Sequence, residues 1–206
     1  MKKNLYLLIF TVLSTRAVAQ TSEVEKSSWQ FNPDISFYFI EDDFFILPVF
    51  RADKNKLHLE ARYNYEDRET FSGWVGYNIS GGNKLSYLIT PMIGGVVGLT
   101  DGFAPGVEFT LALGRFELYN EMEYLFAANE PEENSYFYGW SDLTFSPTDW
   151  LWLGISGQRT RVYQTDVDFQ RGLLIGAGLK SWELSTYFFN IDTNDPFLLV
   201  NLAVTF

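Results

Sequence analysis

Catalytic side chains are scarce in this sequence. His58 is its one histidine and there is no cysteine, so thiol chemistry and a disulfide framework are excluded, and imidazole-based catalysis would rest on that one residue. No serine or acid stands in a His-based triad by spacing. A metal site would have to be built from carboxylates alone. Asp192-Thr-Asn-Asp195 is the nearest approach, but it is short, lacks the spacing of an EF-hand loop and reads as a turn. Neither a metal nor a cofactor is expected.

What remains is charge at regular spacing. His58, Glu60, Arg62 and Asn64 occupy alternate positions, with Leu57, Leu59, Ala61, Tyr63 and Tyr65 between them. Such alternation puts the two sets on opposite faces of a β-strand. Glu108 is brought beside Glu121 and Glu123 by a tight turn at 113–115, and Asp142 follows on the next segment with Tyr138 and Trp140 on its face. Carboxylates gathered on one interior face have two uses: a hydrated constriction that favours cations, or a salt-bridged plug. Unpaired, they cannot sit dry, since burial costs several kcal/mol per ion. The cations that would pair with them are few. Arg62 is one; Arg159, Arg161 and Arg171 meet across a single hairpin, in Gln158-Arg-Thr-Arg161 and Gln170-Arg171. Strict alternation sends these three outward, where guanidinium forks suit lipid phosphates. A bulge at Gly157 would turn Arg159 and Arg161 inward to pair with the carboxylates. The inward placement is favoured, because the interior otherwise lacks cations.

Strands must position all of these residues. No helical period follows the polar stretch 21–28; instead, alternation is broken by turn residues at short intervals. Strands are expected near 34–40, 44–51, 56–65, 70–80, 84–93, 103–113, 115–126, 135–146, 149–163, 170–179, 182–190 and 197–206, twelve in all. The second is the weakest, being apolar on both faces and containing Pro48. If Leu57, Phe71, Leu85, Val107, Leu118, Phe137, Leu151, Ile175, Leu184 and Leu202 face outward, the interior receives His58, Glu60, Arg62, Trp74, Glu108, Glu121, Glu123, Asp142, Tyr187 and Asn201. The connections also fall into two alternating classes. Short basic ones carry Arg51, Lys54, Lys56, Lys84, Arg115 and Lys180; the others are acidic and run through 41–43, 66–69, 99–105, 129–134, 164–168 and 192–195.

The ends and the composition narrow the class. Lys2 and Lys3 precede an apolar run from Leu5 to Leu13 and the small-residue site Ala17-Val18-Ala19. This pattern predicts a signal peptide over 1–19, followed by a polar leader over 20–30 and one domain over 31–206. Removing Lys2, Lys3 and Arg16 from the 15 basic residues leaves 12 against 26 acidic ones, a net charge of −14. That balance excludes nucleic acid as a partner. Aromatic residues make up 18% of the chain. At the carboxyl end Leu198, Val200, Leu202, Val204 and Phe206 recur at every second position to the terminus itself.

An alternating strand ending in a free Phe, with an export signal and aromatic strand edges, resembles the closing strand of Gram-negative outer-membrane β-barrels. The resemblance implies an all-β, antiparallel up-and-down transmembrane barrel of twelve strands. It implies both termini on the periplasmic side, acidic loops outside, and Phe206 as the signal read by the barrel insertion machinery. Outer-membrane lipids, lipopolysaccharide among them, are the implied surroundings, and oligomeric state is left open. The function expected is a narrow passive channel, cation-preferring or for small solutes, or a structural or accessory barrel. The alternative from another class is a lipid-modifying hydrolase using His58.

Overall fold

A computed structural model describes residues 28–129, 131–160 and 169–206. The expected signal peptide, most of the leader, and Arg161 lie outside these residues. Thirteen strand segments form one antiparallel sheet: β1 (Gln30–Ile40), β2 (Asp43–Lys54), β3 (Leu57–Tyr63), β4 (Thr70–Tyr77), β5 (Ile79–Gly82), β6 (Leu85–Gly98), β7 (Gly102–Leu113), β8 (Phe116–Ala127), β9 (Tyr136–Phe145), β10 (Leu151–Arg159), β11 (Gln170–Leu179), β12 (Trp182–Phe189) and β13 (Phe197–Val204). A single helical turn, Pro131–Asn134, interrupts one connection. β4 and β5 keep one register against β6, from Gly76 opposite Met92 to Ile79 opposite Ile89, so they are one stave broken at Asn78. The result is a closed barrel of twelve staves.

Closure joins the two ends of the chain. β1 pairs with β13 from Asp34 opposite Ala203 to Phe39 opposite Leu198. Beyond that ladder Phe31 and Phe206 exchange backbone hydrogen bonds of 3.2 and 2.9 Å. Every backbone ladder therefore has a neighbour on both sides, which a sheet in hydrocarbon requires. The connections after β2, β5, β7, β9 and β11 share the end of the barrel that carries Phe31 and Phe206; those after β1, β3, β6, β8, β10 and β12 lie at the far end. The doubtful second strand is real. Phe45, Leu47 and Val49 are buried inside while Phe44, Ile46 and Phe50 are exposed outside. Pro48 is accommodated because the β2–β3 ladder begins only at Val49.

The outer face is zoned by height. Phe31, Tyr77, Phe116, Phe145, Trp150 and Trp182 are exposed near the terminus end, and Phe39, Phe44, Tyr63, Phe71, Phe126 and Phe188 near the far end. Val75, Ile89, Ile93, Leu153, Ile155 and Ile175 fill the zone between them. An apolar band between two aromatic girdles is the exterior of an outer-membrane barrel.

Inside, bulk is fitted by leaving out side chains opposite it. The buried Trp74 indole lies where a Cβ on Gly94 would sit 2.4 Å from its ring, and Trp152 covers Gly176 at 2.1 Å in the same way. Toward the far end Phe45, Tyr38, Phe197, Phe189 and Tyr187 follow one another in parallel contact, with centroids 4.5, 6.4, 4.9 and 5.9 Å apart. Phe189 and Leu199 have essentially no exposure, so this stack closes the far half of the interior.

Gly94→Val drives two methyl groups into the Trp74 ring and should cost about 1–3 kcal/mol, read as a lower urea midpoint for the folded form in detergent. Gly73→Val is the control. A Cβ at Gly73 meets nothing within 4 Å, so the midpoint should stay where it is.

Candidate functional site

Alternation on β3 sends His58, Glu60 and Arg62 into the lumen, and all three are buried there. Arg62 is the centre of what they meet. Its Nε donates to Glu60 Oε2, while Nη1 lies 2.9 Å from Glu121 Oε1, 3.1 Å from Glu123 Oε2 and 3.7 Å from Glu66 Oε1. Glu108 Oε1 is 3.9 Å from Nη2. The guanidinium carbon also sits 4.3 Å from the Tyr65 ring centroid and 4.6 Å from that of Trp74, a desolvated geometry in which cation–π attraction is strongest. The antiparallel register supplies the acids: Glu108 stands directly opposite Glu121, and Glu123 is one inward position farther along β8. Like charges opposed across a ladder repel; Arg62 is what holds them together.

A second cation stands nearer the terminus end. Arg51 donates from Nη1 to Asp34, from Nε to Glu60 Oε1 at 2.9 Å, and approaches Glu108 to 4.0 Å. Alternation from Phe45 through Leu47 and Val49 points Arg51 inward. The sequence reading assigned it to a basic turn because Lys54 and Lys56 follow closely. His58 is held between Asp53 and Glu60, each 2.8 Å from one ring nitrogen. Both nitrogens thus face carboxylates, and neither is bonded to a hydroxyl that would act as a nucleophile. His58, Glu60 and Glu108 do come close enough together to ligate a cation. However, the Glu60 oxygen that meets His58 is also the one that accepts from Arg51.

Two expectations are corrected at the far end. Tyr65 was placed on the outer face and Glu66 in an exposed acidic loop; both are buried in the lumen. The cause is Asn64, whose φ of 58° is in the left-handed region that ends the strand. Its amide donates to the Ile46 carbonyl and its Oδ1 accepts from the Glu69 amide. The chain after Asn64 therefore turns inward, where Ser72 and Trp74 donate to Glu66 at 2.6 and 3.0 Å. The Glu66 carbonyl accepts from Tyr136.

The arginine hairpin behaves differently from the favoured expectation. Gly157 pairs in unbroken register with Ser141 and Arg171, so there is no bulge, and Arg159 keeps its outward parity and is exposed. Arg171 is also outside, donating to Asp192 at 2.6 Å. That bond holds the Asp192 carboxyl below the usual carboxylate range.

Between these groups and the opposite wall lies a cavity of about 320 Å³. Four carboxyl groups line it, those of Asp34, Glu108, Glu121 and Asp142, with one guanidinium, that of Arg51, and six aromatic side chains. Tyr119 donates to Glu108 at 3.0 Å, and Tyr65 to Glu121 at 2.6 Å. Arg51 and Asp34 line the cavity with side chains that retain 22% and 12% exposure, while those of Glu60 and Arg62 retain none.

No family model matches the sequence, and no curated protein does. Solved structures match the fold. A KdgM porin in complex with disordered oligogalacturonate superposes with a TM-score of 0.63 at 10% identity, covering 85% of this chain and 99% of its own. A second KdgM porin structure gives 0.59 at 10% identity over the same shares. Omp33 of Acinetobacter baumannii gives 0.50 at 13% identity, over 87% of this chain and 99% of that one.

Removing Arg62 strands the carboxylates it pairs. Arg62→Leu should cost about 3–5 kcal/mol in urea unfolding of the detergent-solubilised barrel. Arg159→Leu, on the outer face, should leave the same midpoint unchanged.

Proposed function

We propose that this outer-membrane-type barrel is a narrow passive channel that prefers cations, with the acidic cavity as the station that selects them. The carrying observation is the cavity wall, on which four carboxyl groups face one guanidinium. A ring of fixed negative charge at a constriction concentrates cations and repels anions. The likeness to KdgM and Omp33, the former a porin by name, supports a barrel of channel type. The bonding of His58 to two carboxylates argues against the hydrolase alternative.

In the same reading the barrel stands in a bacterial outer membrane with the terminus end, and its lysines, toward the periplasm. The connections bearing Glu41, Asp67, Asp101, Glu132 and Asp192 face outward. Arg159 and Arg171 meet lipid phosphates, those of lipopolysaccharide included, and β13 with Phe206 is the segment that the insertion machinery reads. A structural or accessory barrel is the second reading. It is favoured by one observation, the filling of the interior around Arg62 and by the aromatic stack from Phe45 to Tyr187.

Planar-bilayer recording decides between them. Under a KCl gradient the channel reading expects small unitary currents that reverse on the cation side, with the preference weakened in Glu108→Gln. Absence of current from folded, inserted protein would leave the structural reading. Orientation is read separately by single cysteines in this cysteine-free chain: Cys at Glu132 or Asp101 should label on intact cells, and Cys at Asn55 or Gly82 should not. The reverse pattern would invert the assignment.

A further inference from the structure

The two walls of the cavity neutralise their acids by different means. On the β2–β3 side Arg51 and Arg62 provide cations for Asp34, Glu60, Glu121 and Glu123. On the β9–β12 side Asp142 is buried without one: among the described residues, no cation pairs with it. Ser156 Oγ donates to its Oδ1 at 2.5 Å and Tyr187 Oη to its Oδ2 at 3.0 Å. Both donors are neutral. They solvate a carboxylate and leave its charge uncompensated on the wall of the cavity.

The surfaces beside this carboxylate are aromatic. Trp140 and Tyr187 meet edge to face at 5.3 Å and 78°. Both line the cavity along with Tyr38. A hard metal ion is poorly served here, because it requires about six to eight oxygen ligands, and two of the roughly four lone-pair directions of the carboxylate are already occupied. The same occupation disfavours a ligand that must donate several N–H bonds. It does not hinder a cation whose charge is spread over methyl groups, which needs a negative field and aromatic faces and no hydrogen bond. The cavity volume of about 320 Å³ is at the small end of ligand sites, which run from about 300 to 1,000 Å³.

We propose that the cavity wall formed by Asp142, Trp140 and Tyr187 is a binding site for a small quaternary or N-methylated ammonium ion. Asp142 supplies the countercharge and the rings supply the contact surface. The inference deepens the cation-preferring reading above and takes the sign of the ligand from it, but binding is measurable whether or not the barrel conducts.

Titration calorimetry on the purified barrel in detergent tests it, with choline as probe, 3,3-dimethylbutan-1-ol as its neutral isostere, and K⁺ as the simple cation. Choline should bind saturably, at least tenfold tighter than either comparator. Asp142→Asn and Trp140→Leu, each confirmed folded by heat-modifiable gel migration, should each weaken choline at least tenfold. Equal binding of choline and the neutral isostere overturns the proposal, as does wild-type choline affinity in either folded variant. If Asp142→Asn does not fold, Trp140→Leu and the isostere comparison on the wild-type protein decide alone. Choline binding without bilayer current keeps the site and removes the channel reading; cation-selective current without choline binding does the reverse.

Discussion

A guanidinium with no exposed surface holds the lumen together. Arg62 touches or approaches five carboxylates carried by β3, β7, β8 and the connection after β3. In a low-dielectric interior, charges of one sign repel far more strongly than in water, so Glu108, Glu121 and Glu123 on neighbouring ladder positions are tolerable only around a cation. The aromatic faces of Tyr65 and Trp74 complete the shell on the sides that lack oxygen. The position of Trp74 depends in turn on Gly94. Charge pairing, ring placement and the missing side chain thus form a single constraint.

That constraint divides the interior. Toward the far end, where the chain after Asn64 folds inward, the barrel is packed with rings and aliphatic side chains as a soluble protein's core would be. Toward the terminus end, the partly exposed Arg51 and Asp34 and the buried His58 form a polar vestibule. The cavity lies at the boundary, with an acidic wall paired to arginine on one side and an acidic wall held by hydroxyl donors on the other. A cation approaching from the vestibule meets a net negative surface that the protein has only partly neutralised, and this asymmetry underlies both the channel reading and the ammonium site.

The outer surface follows from a different solvent. Leu, Ile and Val meet hydrocarbon where a soluble protein would present charge, and aromatic rings mark the two boundaries. Arg159 shows how firmly this face is set. Turning it inward would require the β9–β10–β11 register to break at Gly157, sacrificing ladder hydrogen bonds that nothing in a membrane replaces. The ladder is kept and the arginine stays outside.

The sequence by itself determined the period of two, and with it the strands, their number and the face taken by residues inside the clearly alternating runs. Leu57 to Tyr63 and Leu198 to Phe206 keep the parity that their alternation implies, because a strand side chain has only two directions available. Tertiary structure alone decided which inward residues meet. Arg62 reaches Glu123 across 61 residues of chain, and Asn201 reaches Asp34 across 167; neither distance is encoded in any local pattern, since both depend on barrel closure and the stagger of its ladders. Tyr65 and Glu66 were misread for a related reason: one left-handed residue, Asn64, ends the alternation, and the partners that hold it there belong to a neighbouring strand and to the turn that follows.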